Sequence, residues 1–271
     1  MKPAPFQYMA PASLKEALGM LAEQPLESKL IAGGQSLVPL MNFRLARPER
    51  LIDIGRLSEL RVMRQDGDTL VLGAGTRHRD LIENPEVRRR LPILSMAAEQ
   101  IAHRAIRSRG TLGGSIAHAD PTAELPACAV ACDAEIVVVS AGGERRIAAQ
   151  DFFVTYLTTA LEPDEIIREV VFPAPAGRRY AFREYARRPG DFAIVAVAGV
   201  ADGDQAVLAF AGVGGTPARA EIDISRADAM LESAVAELEP DADVHASADY
   251  RCALALELGR KVLADLKGDA K

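Results

Sequence analysis

The chain of 271 residues reads as an α+β protein of two domains. Three observations predict this. Apolar strand patterns recur along the chain, and several return as hairpins around Asp66-Gly67-Asp68, Gly142-Gly143 and Asp202-Gly203-Asp204. Helical patterns fall between these sheets in mixed order, rather than in the regular alternation of a doubly wound sheet. Pro173-Ala174-Pro175-Ala176-Gly177 then interrupts the pattern and marks a boundary. The expected domains are residues 1–174, subdivided near 1–56 and 57–174, and residues 178–271.

Phe6-Gln7-Tyr8 opens the chain as a short strand. Ser13-Leu14-Lys15-Glu16 has the form of a capping box, and Leu14, Ala17, Leu18 and Leu21 continue at helical spacing. Lys29-Leu30-Ile31-Ala32 is a short apolar strand leading into a Gly-Gly pair. Pro39 confines any helix after Ser36 to a short piece, because its ring lacks an N–H and clashes with the preceding turn. Residues 50–54 form the next strand and complete a β-α-β subdomain. Val62-Met63-Arg64 and Thr69-Leu70-Val71-Leu72 flank the Asp-Gly-Asp turn.

Gly73-Ala74-Gly75-Thr76-Arg77-His78 starts like a dinucleotide fingerprint, but it lacks the third glycine and follows a hairpin, so no Rossmann site is expected there. Thr76 is the expected N-cap of a short helix through Leu81. Residues 92–106 carry a helical pattern with Ile93, Met96, Ala97, Ile101 and Ala105 inward. Residues 123–131 are a helix of small residues with Glu124 in the first turn. Glu135-Ile136-Val137-Val138-Val139 is a strand that returns as Arg145-Arg146-Ile147, and residues 165–172 are another. Beyond the break, residues 180–185, 192–200 and 205–213 make a three-stranded antiparallel sheet. Helices over residues 226–238 and 247–266 follow, the second with Leu254, Leu258, Val262 and Leu266 on one stripe.

Hydrophobic residues are 49% and charged residues 26% of the chain, the balance of a soluble globular protein. A net charge of −6 provides no basic footprint for nucleic acid. No stretch approaches the roughly 20 apolar residues of a membrane span. Met1-Lys2-Pro3-Ala4-Pro5-Phe6 lacks the apolar core of a signal peptide. Cys128, Cys132 and Cys252 are an odd set without a paired motif, which fits a reducing compartment, so a cytoplasmic location is expected. Cys128 and Cys132 lie one helical turn apart among apolar residues, with no further ligand nearby, and read as core rather than as a metal site. His78, His103, His118 and His245 are scattered and form no triad; His118 alone falls within a candidate ligand segment.

Two segments stand out. Ala32-Gly33-Gly34-Gln35-Ser36 and Gly110-Thr111-Leu112-Gly113-Gly114-Ser115 share paired glycines beside hydroxyl residues, and the second runs on to His118 and Asp120-Pro121. Adjacent glycines remove two Cβ atoms and permit positive φ, so successive N–H groups can converge on an anion. Ser36, Thr111 and Ser115 add hydroxyl donors. Each Gly-Gly alone is equally a tight turn; together they favour a phosphate or pyrophosphate. Arg104, Arg107 and Arg109 precede the second segment, where they either attract phosphate or complement a helix end. With no triad in view, the chemistry is expected to come from a bound cofactor.

These segments, with Leu45-Ala46-Arg47-Pro48, Leu51-Ile52-Asp53-Ile54, Gly73-Ala74-Gly75-Thr76, Glu124-Leu125-Pro126, Asp164-Glu165-Ile166-Ile167 and Arg187-Arg188-Pro189-Gly190-Asp191-Phe192-Ala193, resemble the medium, flavin-binding subunit of molybdenum hydroxylases. That family includes the flavoproteins of carbon monoxide dehydrogenase and xanthine dehydrogenase. The resemblance covers in effect the whole chain. It implies a two-subdomain FAD-binding domain of the vanillyl-alcohol-oxidase type followed by a C-terminal flavoprotein domain. FAD is the only cofactor implied, because the cysteine-bearing insertion of some relatives is missing.

By the same resemblance, Ala32, Gly33, Gly34, Gln35 and Ser36, with Thr111, Leu112, Gly113, Gly114 and Ser115, would hold the pyrophosphate through amides and hydroxyls. Lys29, Leu30 and Ile31 would line the adenine or ribose side. Glu124 would accept hydrogen bonds from the flavin's polyol chain, with Glu where some relatives have Asp. Asp120 would serve the same hydroxyls or only form the turn before Pro121, and His118 lies in the same segment. Ile101 and Ile167 match apolar positions near the cofactor, each also readable as core. Arg183 matches a cation at the isoalloxazine carbonyl edge, or is a solvated strand arginine. Residues 188–192 match a loop at the open flavin face.

The resemblance further implies a heterotrimer, often doubled. A large molybdopterin subunit would hydroxylate the substrate, and a small subunit with two [2Fe-2S] clusters would relay electrons to this FAD. From there they would pass to NAD, oxygen, a quinone or another external acceptor. The alternative is a stand-alone flavin-dependent reductase of the related fold acting on a nucleotide-linked substrate. It would need a proton donor and substrate loops in the C-terminal domain, which the sequence does not display. A cofactor-free assembly subunit would carry bulky residues in place of Gly33, Gly34, Gly113 or Gly114, and all four are glycine.

Overall fold

The computed structural model describes residues 1–268. It begins with a small parallel sheet. β1 (Gln7–Met9), α1 (Leu14–Glu23), β2 (Ser28–Ile31), α2 (Leu37–Asn42) and β3 (Arg50–Asp53) follow in turn, with strand order β1-β3-β2. Ser13 caps α1: its Oγ accepts from the Glu16 N–H at 3.1 Å, and the Glu16 carboxylate accepts in return from the Ala12 N–H at 2.6 Å. The apolar stripe of α1 buries Ala17 and Leu21 against Ile52, Leu57 and Leu60. Val139 and Ile166 close this small core from the neighbouring sheet.

The next unit starts with the hairpin β4 (Met63–Asp66) and β5 (Thr69–Gly73), and a run of short helices follows. These are α3 (His78–Glu83), α4 (Pro85–Arg90), α5 (Pro92–Gln100), α6 (Arg104–Arg107), α7 (Leu112–His118) and α8 (Glu124–Ala131). β6 (Glu135–Ser140), β7 (Gly143–Ala148), α9 (Ala149–Phe152), β8 (Phe153–Thr155), β9 (Thr158–Thr159) and β10 (Ile166–Pro173) complete it. The five-stranded sheet has the order β4-β5-β10-β6-β7 and is antiparallel throughout.

Two local expectations are corrected here. Residues 92–106 are not one helix: α5 stops at Gln100 because Ala102 takes φ of +40°. The Arg107 guanidinium then donates to the carbonyls of Ile101 at 2.8 Å and Ala102 at 3.0 Å and holds that turn. Thr76 does not cap the next helix. Arg77 stands at the cap of α3, its extended backbone bridged to Thr111, and its N–H donates to the Asp80 carboxylate at 3.2 Å.

Beyond residues 174–178 the chain forms β11 (Arg179–Tyr185), β12 (Val195–Asp202), β13 (Gln205–Ala211) and β14 (Ala218–Asp223), then α10 (Ala227–Ala236) and α11 (Ala248–Lys267). The sheet is a four-stranded antiparallel meander, not the expected three-stranded one. Ala218, Ala220 and Ile222 alternate with Arg219, Glu221 and Asp223, but the alanines are small and only Ile222 of β14 is fully buried, so the apolar signal of this strand is faint. The strand is held by its register on β13, from Gln205↔Asp223 to Phe210↔Ala218, and turns Ala218, Ala220 and Ile222 onto the core of this unit.

This sheet buries both faces. Val195, Val197, Leu208 and Phe210 pack under Leu258, Val262 and Leu266 of α11. Ala196, Ala198, Ala209 and Ala211 point the other way, and Phe182 joins them in the core of the preceding unit. All eight residues of α8 are buried, as expected for a helix apolar on every side. The alanines of β12 and β13 let it lie close to the sheet. Cys128 and Cys132 belong to this core. Burial pushes the Cys128 thiol well above its ordinary range and the Cys132 thiol up to about 12. Among the described residues, no helix is long and apolar enough to cross a membrane.

Candidate functional site

β2 delivers the first glycine segment at its C-terminal end. Gly34 has φ of +71°, a conformation open to glycine at little cost, and a Cβ there would come within 3.0 Å of Ile31 Cδ1. Gln35 Nε2 donates to the Gly33 carbonyl at 2.7 Å and braces the turn. Among the described residues, no acceptor takes the backbone N–H of Gly33, Gly34, Gln35 or Ser36. Four consecutive free amides in a turn are the donor set of an anion nest. Ala32 and Ile31 are half-buried beneath it, Leu30 packs into the small core, and Lys29 is exposed.

The second glycine segment lies directly against the first. A Cβ on Gly33 would collide with the Arg109 carbonyl and come within 2.9 Å of Gly110 Cα. The segment is not itself an amide nest, which corrects the expectation that its backbone mirrors the first. Leu112 N–H donates to Thr76 O at 2.8 Å, Gly113 N–H to Ala74 O at 2.8 Å, and Ser115 N–H to Thr111 O at 3.0 Å. Thr111 caps α7, with Oγ1 accepting from the Gly114 N–H at 3.1 Å. Gly113 is needed for packing: a Cβ would reach within 2.9 Å of Ala74 Cα. Among the described residues, this segment is left with the Thr111 N–H and the half-buried Ser115 hydroxyl to offer a ligand.

His78 is the member that the sequence reading missed. It starts α3, is 4% exposed, and places Nε2 3.0 Å from Ser115 Oγ and 3.1 Å from the Thr111 carbonyl. Its partners stand 33 and 37 positions further along the chain, beyond the reach of any local pattern. Nδ1 is buried and has no partner. Burial lowers the imidazole pKa to about 4, opposed by the Thr111 carbonyl and reinforced by Arg107.

A second group is acidic. Glu124 opens α8 and is 6% exposed. Burial, opposed by a hydrogen bond from its own backbone N–H and aided by the charges of Glu184 and Asp120, raises its carboxyl to about 8. Glu184 comes from β11; burial raises it to about 7, and its Oε2 has no partner. Asp120 is already engaged, accepting from Thr122 N–H at 2.9 Å and Thr122 Oγ1 at 2.7 Å, the turn-forming reading of Asp-Pro. The Pro121 carbonyl is tied to the C-terminal sheet by the Gly212 N–H at 2.8 Å. His118 ends α7, half-buried.

Arg183 is the clearest correction. On β11, Tyr180 and Phe182 face the core of the preceding unit, and Glu184 shares their face. Arg183 points the opposite way and forms a bidentate pair with Asp265 of α11, at 2.7 and 2.9 Å. The charged group that this strand turns toward the FAD-binding unit is therefore Glu184. Ile167 is 5% exposed within the core and serves packing. Ile101 ends α5 and sits at the Ala102 turn, onto which the turn of residues 188–192 packs; a Cβ on Gly190 would fall 2.6 Å from the Ala102 carbonyl.

The free amides suit a pyrophosphate, and the buried Glu124 carboxyl with the unpartnered Glu184 Oε2 suits hydroxyl groups, so these residues fit a dinucleotide with a polyol link. Fold and site thus define a two-domain α+β protein that binds a dinucleotide outside any Rossmann unit. Comparison with known proteins makes this specific. The family described as "FAD binding domain in molybdopterin dehydrogenase" matches residues 4–175, and "CO dehydrogenase flavoprotein C-terminal domain" matches residues 180–266. The alpha subunit of the 6-hydroxypseudooxynicotine dehydrogenase complex of Paenarthrobacter nicotinovorans is 41% identical over 97% of this chain and 95% of its own. The carbon monoxide dehydrogenase medium chain of Hydrogenophaga pseudoflava is 38% identical over 97% of both. The crystal structure of quinoline 2-oxidoreductase from Pseudomonas putida 86 superposes with a TM-score of 0.93 at 38% identity, covering 100% of this chain and 99% of that one.

The chain belongs to the FAD-binding medium subunits of the molybdenum hydroxylases. It is a subunit of an FAD-containing oxidoreductase, and its cofactor is FAD.

Proposed function

We propose that this chain is the electron-transfer subunit of its hydroxylase. It takes electrons from the iron–sulfur clusters of a small partner subunit and delivers them to an external acceptor, while a large molybdopterin subunit oxidises the substrate. FAD, when bound, supplies the capacity to accept and release electrons. The protein supplies position and charge. The amides of Gly33, Gly34, Gln35 and Ser36 donate to the pyrophosphate, joined by the hydroxyls of Ser36 and Ser115. Lys29, Leu30 and Ile31 flank the adenine or ribose end. Glu124, neutral at pH 7, both donates to and accepts from the polyol hydroxyls. Ile101 and the turn at residues 188–192 border the ring.

The observation that carries this reading is the contact of Gly33 with Arg109 and Gly110 beneath four free amides. It supports one shared pyrophosphate site rather than two unrelated turns. The named relatives concern 6-hydroxypseudooxynicotine, carbon monoxide and quinoline, which supports placing substrate choice outside this chain. Their names also mark subunits of larger complexes, which supports an assembly with large and small partners; we take that assembly to be a dimer of heterotrimers. A cytoplasmic location accords with free cysteines.

The purified chain, loaded with FAD and chemically reduced, is expected to be reoxidised by an added acceptor. Alone, it is expected to leave hydroxylase substrates and nucleotide-linked substrates untouched. Turnover of a substrate by the isolated chain would replace this reading with that of a stand-alone reductase.

A further inference from the structure

We propose that His78 is a positioning residue for the pyrophosphate, acting through Ser115. Its Nε2–H is shared between the Thr111 carbonyl and Ser115 Oγ, which leaves the Ser115 hydroxyl proton to be donated to a pyrophosphate oxygen. The proposal rests on the reading of the two glycine segments as an FAD pyrophosphate site.

The Thr111 carbonyl oxygen is an acceptor only, so the Nε2 beside it at 3.1 Å carries the proton. The same N–H lies 3.0 Å from Ser115 Oγ, which therefore accepts. Among the described residues, nothing else pairs with that Oγ, so its own proton is unassigned within the chain. The tautomer leaves Nδ1 as a bare lone pair, consistent with its lack of a partner. Protonating Nδ1 as well would bury an unpartnered N–H together with the imidazolium charge, so the ring is kept singly protonated.

The placement joins the two segments. Gly33 rests on Gly110, and a Cβ on Gly110 would lie 2.7 Å from His78 Cε1 and 2.8 Å from Nδ1. First segment, Gly110, imidazole and Ser115 thus form one contiguous stack. Because the amides of Gly110, Leu112, Gly113, Gly114 and Ser115 are already used, the segment contributes to an anion through the Thr111 N–H and a directed hydroxyl. A hydroxyl free to rotate would have to be ordered on binding; one fixed by an imidazole is ordered beforehand.

The test is FAD titration of the full-length chain, followed by quenching of free flavin fluorescence, for the wild type, Ser115→Ala, His78→Gln, His78→Leu and the Leu/Ala double variant. Ser115→Ala is expected to weaken FAD about 10-fold or more, the effect of losing a hydrogen bond to a charged group. His78→Leu is expected to give a similar loss, and the double variant no more than either alone. His78→Gln, whose amide N–H can stand where Nε2–H stands, should bind within about 3-fold of wild type. The ³¹P resonances of bound FAD should move in Ser115→Ala and stay in place in His78→Gln.

Wild-type affinity in Ser115→Ala with unmoved ³¹P resonances would overturn the proposal while leaving the FAD site intact. Fully additive losses in the double variant would overturn it equally. If His78→Leu does not fold, Ser115→Ala and His78→Gln still decide the matter. Failure of the wild-type chain to bind FAD would instead overturn the site reading on which the proposal stands.

Discussion

At the scale of single residues, the site is governed by what can and cannot be charged. Glu124 is held protonated to about pH 8 by burial and by the neighbouring Glu184 and Asp120, and His78 is held neutral down to about pH 4. The two act on stability with opposite sign. A carboxyl whose folded pKa is raised favours the folded state at low pH, and that stability is lost as pH climbs from about 4.5 toward 8. An imidazole whose folded pKa is lowered favours the folded state above about 6.5, and that stability is lost as pH falls toward 4. The FAD-free chain should therefore melt at its highest temperature between these limits. Glu124→Gln should flatten the alkaline side, a change on the order of 4 kcal/mol. An unchanged alkaline slope in thermal melts of that variant would contradict the burial assigned to Glu124.

Arg183 and Glu184 give a paired test at the same scale. Arg183 is half-exposed and bound to Asp265, so Arg183→Ala should cost under about 1 kcal/mol and leave the flavin potential unchanged. Glu184 faces the FAD-binding unit with an unpaired oxygen. Glu184→Gln removes a group that ionises near pH 7, and it should raise the flavin potential at pH 8, where reduced flavin is an anion. Spectroscopic redox titration of both variants distinguishes them. A lowered potential in Arg183→Ala with none in Glu184→Gln would return the role to Arg183.

At the scale of elements, glycines set how closely strands and helices meet. Gly199 of β12 lies under α11: a Cβ there would collide with Val262 and come within 3.0 Å of Leu208 Cδ2. Gly199→Val should destabilise the chain by about 1–3 kcal/mol through overpacking, read by denaturant unfolding, with flavin content preserved at low temperature. Gly33→Ala should behave differently, since its Cβ would separate the two glycine segments; flavin content should fall more than the melting temperature does.

Elements are also where sequence and structure part. The β-α-β start, both hairpins of the FAD-binding unit and the last two helices follow from periodicity and turn residues that act locally. β14 does not, because the apolar side of its alternation is two alanines and one isoleucine, too faint beside Arg219 and Glu221 to mark a strand. The break in residues 92–106 depends on Arg107 reaching back to the carbonyls of Glu99, Ile101 and Ala102, and no spacing rule encodes that. The first glycine segment is legible because its geometry is local. The second is legible as glycine, but the amides of Leu112 and Gly113 are taken by Thr76 and Ala74, which arrive from another part of the chain. His78 and Glu184 enter the site for the same reason: tertiary packing, not their neighbours in sequence, places them there.

At the scale of the whole molecule, one apolar core runs from the five-stranded sheet through α8 into the alanine face of the C-terminal sheet. The two units are therefore expected to unfold together. Calorimetry of the holo-chain should show a single transition, because α8 cannot remain buried once either neighbour opens. Two separated transitions would mean that the shared core contributes little. This fused arrangement also suits a redox relay. The strand face that carries Glu184, with Tyr180 and Phe182, packs onto the core that also holds Leu112 and Ile116 of the second glycine segment's helix.

The most direct test of the electron-transfer role uses the chain assembled with its partner subunits, without oxygen and without acceptor. Substrate is added in a rapid-mixing spectrophotometer, and the flavin and iron–sulfur absorbances are followed separately. The account expects the iron–sulfur bands to bleach first and the flavin band to follow, with flavin bleaching lost in complexes whose chain carries Gly33→Ala. A flavin that stays oxidised while the clusters are fully reduced would contradict it.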